Sequence, residues 1–253
     1  MNTKTGHDHD RLLAEHEPDA VARRLAAAGK PQLLPDAVLG GIDGCITTFA
    51  IVTGSVGAGF APHVSVILGV ANLLADGLSM AVSNYESIKA HNEFVEATRR
   101  AEEQHIELVP EGEREEIRQI FAQRGYSGER LERIVRVITS DRKLWVDTML
   151  AEEHGLGGTH PDPLRAAVVT MAAFIVVGFI PLFPLLIPAL GEAAQTYASV
   201  ALAGIVFFAI GSAKSFFLGT RPLKSGLATL LTGGSAAALA FLVGYLLRNA
   251  FGI

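Results

Sequence analysis

LPDAVLGGIDGCITTFAIVTGSVGAG, residues 34–59, and NLLADGLSMAVSNYES, residues 72–87, are runs of mostly apolar and small residues that nevertheless carry acids. Asp36 and Asp43 lie in the first and Asp76 in the second. Between Lys30 and Lys89 there is no Lys or Arg to neutralise them. A carboxylate near a bilayer centre costs roughly 2.5–3.5 kcal/mol even on lenient insertion scales, so membrane helices rarely carry one without a use. Asp43 and Asp76, inside adjacent apolar spans, imply a proton, a metal cation or both as partner. Cation transport is the leading reading.

Composition agrees with a membrane protein that carries a polar insertion. The 253 residues are 49% hydrophobic with a mean hydropathy of +0.34, too apolar for an ordinary soluble domain. Residues 85–165 hold 17 of the 26 acids and 12 of the 21 Lys and Arg residues, so the charge is concentrated in one stretch. A net charge of -5 argues against nucleic acid as a partner. The single cysteine, Cys45, excludes an intrachain disulfide and a Cys-rich metal site. The first thirty residues lack the apolar core of a signal peptide, so the spans themselves direct insertion.

Hydropathy predicts five spans at 37–60, 64–84, 166–190, 197–219 and 225–247, each near the ~20 residues a bilayer needs. Pro181, Pro184 and Pro188 kink or end the third, or the last two belong to its exit turn. Arg221 and Lys224 make the loop after the fourth span cytoplasmic by the positive-inside rule. Counting back puts the N-terminus and the insertion in the cytoplasm. Residues 10–28, with Leu12, Leu13, Ala20, Val21 and Leu25 against Arg11, Arg23 and Arg24, suit an interfacial amphipathic helix. The expected division is therefore an N-terminal segment (1–35), spans one and two (36–90), a helical metal-binding insertion (91–162) and spans three to five (163–253). Within the insertion, helices are expected to continue the second span over 85–108 and then to run from about Glu113 to Arg124, Gly128 to Ser140 and Asp141 to His154.

Asn72, Asp76, Ser79, Met80 and Ser83 share one helical face of the second span, and Asp36, Asp43 and Thr47 share one on the first. The Met80 thioether is a soft ligand, better matched to Fe²⁺ or Co²⁺ than to Mg²⁺ or Ca²⁺, although a lone Met in a span is usually packing. In the insertion, Glu102 and His105 are three apart, as are Glu113 and Glu116, while Met149, Glu152 and Glu153 share a face. Such pairs on several helices are how bundles build metal sites, whereas Glu103, Glu107, Glu115, Glu129 and Glu132 fit a solvated surface.

These two runs, with PEGEREEIRQIFAQRGYS at 110–127, WVDTMLAEEHGL at 145–156 and PDPLRAAVVT at 161–170, resemble the vacuolar iron transporter family over nearly the whole chain from about residue 30. The resemblance implies an all-α membrane protein of five transmembrane helices with a cytoplasmic helical metal-binding insertion between the second and third. It implies a homodimer that exports Fe²⁺, or Mn²⁺, Zn²⁺ or Co²⁺, in exchange for protons, in the cell membrane of a bacterium or the vacuolar membrane of a eukaryote. No enzymatic activity or tightly bound cofactor is expected. Asp43 and Met80 match its ion path, beside Asp36 and Asp76, and Glu102, Glu113, Glu116, Met149 and Glu153 match its cytoplasmic ligands. The chain departs from that pattern at His105, where Glu is usual, at Leu150, where a second Met can occur, and at Ser83-Asn84, where Gly-Glu is usual. Rival readings are a membrane-anchored ferroxidase, an iron-storage protein or a metal sensor using the Glu/His cluster.

Overall fold

The computed structural model describes residues 9, 12–28 and 33–252, and among them every regular element is helical. The α-helices are α1 (Pro18–Ala28), α2 (Leu34–Ala58), α3 (Pro62–Leu108), α4 (Pro110–Gln123), α5 (Gly128–Thr139), α6 (Arg142–Glu152), α7 (Pro163–Phe179), α8 (Glu192–Leu218) and α9 (Pro222–Phe251). Among the described residues, five segments are long and apolar enough to cross a membrane: Leu34–Ala58, Pro62–Leu108, Pro163–Leu186, Glu192–Ser215 and Pro222–Phe251. The chain divides into two compact units. One comprises Gln32–Ser87 with Asp162–Ile253, and the other Ile88–Pro161 with the N-terminal residues.

In the apolar unit, α2 packs against α7 and α9 at distances that only glycine permits. A Cβ on Gly178 of α7 would stand 2.7 Å from the carbonyl oxygen of Gly44, and one on Gly44 would collide with the carbonyl of Phe174. Small residues at such crossings let helix backbones approach closely where lipid offers no hydrophobic drive. Two apolar clusters fill the space left. Cys45, Phe49, Ala203, Phe207 and Ala237 form one, and Val52, Leu73, Phe174, Leu182 and Leu185 the other. The α-helical part of the third span ends at Phe179, and Ile180–Leu186 continues it as a 3-10 helix. Pro181 explains the change, because it has no N–H to extend the α-helical ladder. Pro188 then opens a second 3-10 turn, Pro188–Leu190, so the prolines narrow and end the span rather than kink it.

In the polar unit, Ile106, Ile117, Leu131, Val135, Ile138, Trp145, Val146, Met149 and Leu150 form a single core. α4 starts at Pro110, earlier than the Glu113 expected, since proline is favoured at the first helical position, where no N–H is needed. Asp141 caps α6, its carboxylate accepting from the N–H groups of Lys143 and Leu144. The helix stops at Glu152, short of the expected His154, and Gly155 adopts the left-handed conformation just beyond it. Near the N-terminus, Leu12, Leu13 and Leu25 are exposed and Ala20 and Val21 half-buried; Arg11 lies outside the described residues.

Gly44→Val should drive α2 from α7 and lower the thermal midpoint of the purified protein in detergent, an overpacking loss of about 1–3 kcal/mol. Gly234→Ala, where a Cβ meets nothing within 4 Å, should leave the midpoint unchanged or raise it. Equal effects of the two changes would mean that the close crossing is unimportant to stability.

Candidate metal site

The end of α3 and the start of α4 are joined by Val109 alone, whose N–H returns to the carbonyl of His105 at 2.8 Å. That abrupt reversal sets the first turn of α4 against the last turns of α3. Glu113 thereby meets the Glu102–His105 pair, with His105 Nδ1 3.5 Å from Glu113 Oε1 and 3.8 Å from Glu102 Oε1. From the far side, the chain leaving α6 brings in His154, whose Nε2 is 2.9 Å from Glu102 Oε1. The N–H of His154 bonds the carbonyl of Met149, and that of Leu156 bonds the carbonyl of Leu150, which hold this exit in place.

Burial divides the cluster into a floor and a rim. Glu102 and Glu113 are each only 3% exposed, while His105, Glu116, Glu153 and His154 remain accessible. The Oε2 atoms of Glu102 and Glu113 are buried without a hydrogen-bond partner. Burial, reinforced by Glu116, Glu102 and Glu153, pushes the Glu113 carboxyl up to about 7. Burial raises Glu153 as well, with Glu116 and Glu102 adding to it and His154 and His105 opposing it.

The outer glutamates contrast with these. Arg118 pairs with both Glu115 and Glu132, and Arg142 lies 3.9 Å from Glu107. Hydrogen bonds from Gln119 and Arg118 hold Glu115 below the usual carboxylate range, and Arg118 does the same for Glu132. Among the described residues, none of the arginine–carboxylate pairs includes Glu102 or Glu113. The floor is two buried carboxyls with imidazoles but no arginine partner beside them among those residues, and a divalent ion fits that donor set. One donor atom from each of Glu102, His105 and Glu113 lies within 4.8 Å of the others, and the same holds for Glu102, Glu153 and His154.

Not every expected ligand stands equally close. Glu116 is within electrostatic reach of Glu113 and Glu153. Met149 is fully buried in the apolar core among Ile106, Ile117 and Val146. Glu152, on the expected face with Met149 and Glu153, turns away to pair with Arg124. His154 was not anticipated, because it follows the end of α6, where helical spacing stops predicting neighbours. Its only signal in the sequence is adjacency to Glu153.

In the apolar unit, Asp43 on α2 and Asp76 on α3 are half-buried and within electrostatic reach of each other. Asp36 accepts a 2.8 Å hydrogen bond from the Asn84 amide, which also donates to Thr170 Oγ1 at 2.9 Å, so this acid is already engaged in tying α2, α3 and α7 together. Thr47 donates back to the Asp43 carbonyl at 2.9 Å, within its own helix. Met80 is half-buried against the Val52–Leu73–Phe174 cluster, while Ser79 and Ser83 are exposed. Asn72 lines an apolar crevice of about 970 Å³ between α2, α3 and α9, and its Nδ2 is buried without a partner. The expected polar stripe is therefore split among different surroundings.

The family model described as "VIT family" matches residues 34–245. The chain is 35% identical over 224 residues to the vacuolar iron transporter of Toxoplasma gondii (strain ATCC 50861 / VEG), covering 85% of this chain and 74% of that protein. It is 33% identical to the vacuolar iron transporter of Plasmodium berghei (strain Anka), covering 84% and 81%. To vacuolar iron transporter 1 of Arabidopsis thaliana it is 32% identical, covering 83% and 84%.

A carboxylate must lose its proton to ligate a metal, so protons compete for Glu113 below about 7. Mn²⁺ affinity of the full chain in detergent should therefore rise between about pH 5.5 and about pH 7.5, and Glu113→Gln should weaken binding about tenfold and flatten that dependence. Without metal the sign reverses for stability: the folded form holds the Glu113 proton more tightly than the unfolded, so stability falls as pH rises toward about 7. Titration calorimetry and thermal melts at both pH values check the pair. A pH-independent affinity in the parent protein would count against Glu113 as a ligand.

Proposed function

Because the chain belongs to the VIT family, we propose that it transports Fe²⁺ across a membrane, exporting it from the cytosol in exchange for protons. The observation that carries this reading is the pairing of two uncompensated acid sets in one chain. Buried Glu102 and Glu113 lie in the polar unit, and Asp43 and Asp76 lie in the spans. A storage protein or sensor has use for the first set and none for the second.

In this reading the polar unit lies in the cytoplasm and collects hydrated Fe²⁺ through Glu102, His105, Glu113, Glu116 and Glu153. It raises the local ion concentration without touching the membrane barrier. The spans then carry the ion past Asp43 and Asp76, with Asp43 and Met80 of two subunits facing a shared axis in a homodimer. Metal and proton compete for the Asp43 carboxylate, so entry of one displaces the other. Alternation between the two, with access switching from one side to the other, is antiport. Mn²⁺ has ligand preferences close enough to Fe²⁺ to follow the same route. The host membrane is the cell membrane in a bacterium and the vacuolar membrane in a eukaryote.

Proteoliposome uptake of Fe²⁺ and Mn²⁺, with and without an imposed pH gradient, tests the proposal. Flux should rise when the gradient drives protons in the direction opposite to the metal. Asp43→Ala and Asp43→Asn should both reduce uptake to the level of empty liposomes, since neither side chain exchanges a proton for a metal. A folded Asp43→Asn protein with parental flux would sink the mechanism. Met80→Leu, which keeps the packing volume against Leu73 and Phe174, should lower Fe²⁺ flux more than Mn²⁺ flux if the thioether is a ligand. Equal flux ratios in parent and variant would assign Met80 to packing alone.

A further inference from the structure

Among the described residues, donor atoms of the polar unit form two sets that share Glu102, and the second set contains His154, which the sequence pattern did not single out. His154 Nε2 lies 2.9 Å from Glu102 Oε1 and 3.9 Å from Glu153 Oε2. In the first set, His105 Nδ1 lies 3.5 Å from Glu113 Oε1 and 3.8 Å from Glu102 Oε1. Ligands bound at about 2.1 Å to a tetrahedral or octahedral ion stand roughly 3.0–3.4 Å from one another. Small side-chain rotations would therefore close either set around an ion. Independently of these spacings, Glu102 is 97% buried by its 3% exposure, and its Oε2 has no hydrogen-bond partner. A carboxylate so placed has one oxygen facing both imidazoles and a second left unsatisfied, which is the arrangement a bridging ligand needs.

We propose that His154 is a metal ligand and that Glu102 bridges two divalent transition-metal ions. One ion is held with His105 and Glu113, the other with Glu153 and His154. This rests on the reading of the polar unit as a metal-collecting site and extends it in the number of ions and in their selection. Each ion then receives one imidazole nitrogen in addition to carboxylate oxygens. Nitrogen donors favour Fe²⁺, Co²⁺ and Zn²⁺ over Mn²⁺, and strongly over Mg²⁺ and Ca²⁺, which want only oxygen. His154 thus makes the second position selective as well as available. The side chain is 31% exposed, so an ion arriving from water reaches its ring directly.

A hydrogen bond alone would also hold His154 beside Glu102, and the two roles separate on titration with Co²⁺, an air-stable probe. The full chain in detergent, freed of metal, is titrated with Co²⁺ and with Mn²⁺, and bound metal is counted by equilibrium dialysis. Counting losses relative to the parent removes any contribution from ions bound in the spans. His154→Gln, which keeps a side-chain donor for Glu102, should bind one Co²⁺ fewer. Glu113→Gln should also lose one, and Glu102→Gln should lose two. The parent should prefer Co²⁺ to Mn²⁺ at the second position by about tenfold or more, a preference that His154→Gln abolishes. An unchanged Co²⁺ count and affinity in His154→Gln would overturn the proposal and leave the collecting site standing if Glu113→Gln still loses its ion. Loss of a single ion in all three variants would overturn the bridge. No loss in any of them would overturn the collecting site itself.

Discussion

Glu102 and Glu113 face each other almost out of solvent, and among the described residues none of the arginine pairs reaches them. Burying one uncompensated carboxylate is unfavourable, and placing a second beside it compounds the cost, which for Glu113 appears as a carboxyl pushed up to about 7. The rest of the polar unit serves to hold this unfavourable pair in place. The one-residue joint at Val109, the Asp141 cap on α6 and the core around Ile117, Trp145 and Met149 leave the two acids little room to separate. Protonation of Glu113 near neutral pH relieves the conflict, and a cation seated between the two carboxylates would relieve it as well.

The same tension recurs in the apolar unit with different means of restraint. There, packing comes from backbone contact at Gly44 and Gly178 and from the Phe174 and Leu182 side chains. Asp43 and Asp76 stand half-buried within reach of each other's field. Asp36, on the same helix as Asp43, is satisfied by a neutral amide donor and belongs to the scaffold in this structure. Three acids that look alike along the sequence thus divide by their neighbours: Asp36 is tied to an amide, while Asp43 and Asp76 lie in each other's field.

What could be read from the sequence was whatever depends on spacing along one helix. The apolar lengths of the five spans, the Glu102–His105 pair and the Glu113–Glu116 pair all follow from local periodicity, and the structure has helices at each. Relations between elements were not legible. Glu152 pairs with Arg124 because α4 and α6 meet the same core, which no spacing rule encodes. His154 lies past the end of α6, so its approach to Glu102 depends on the turn at Gly155 and the return of Leu156 to the core. Met80 has the spacing of a ligand, yet its neighbours are apolar. Helical periodicity reports which side chains share a face, and the identity of what that face meets comes only from packing.

Asn84 joins α2, α3 and α7 through Asp36 and Thr170, and Thr170 in turn donates to the Ala166 carbonyl at 3.0 Å. An amide that donates to a carboxylate forms a bond requiring neither a shared proton nor an ion. The corner where these three helices meet is therefore closed by donors from a neutral side chain. A carboxylate at position 84 would face Asp36 with the same sign of charge, and the packing there would then vary with whatever neutralised the pair. With Asn84 the joint between these three helices asks for no counter-ion, although it is built on an acid.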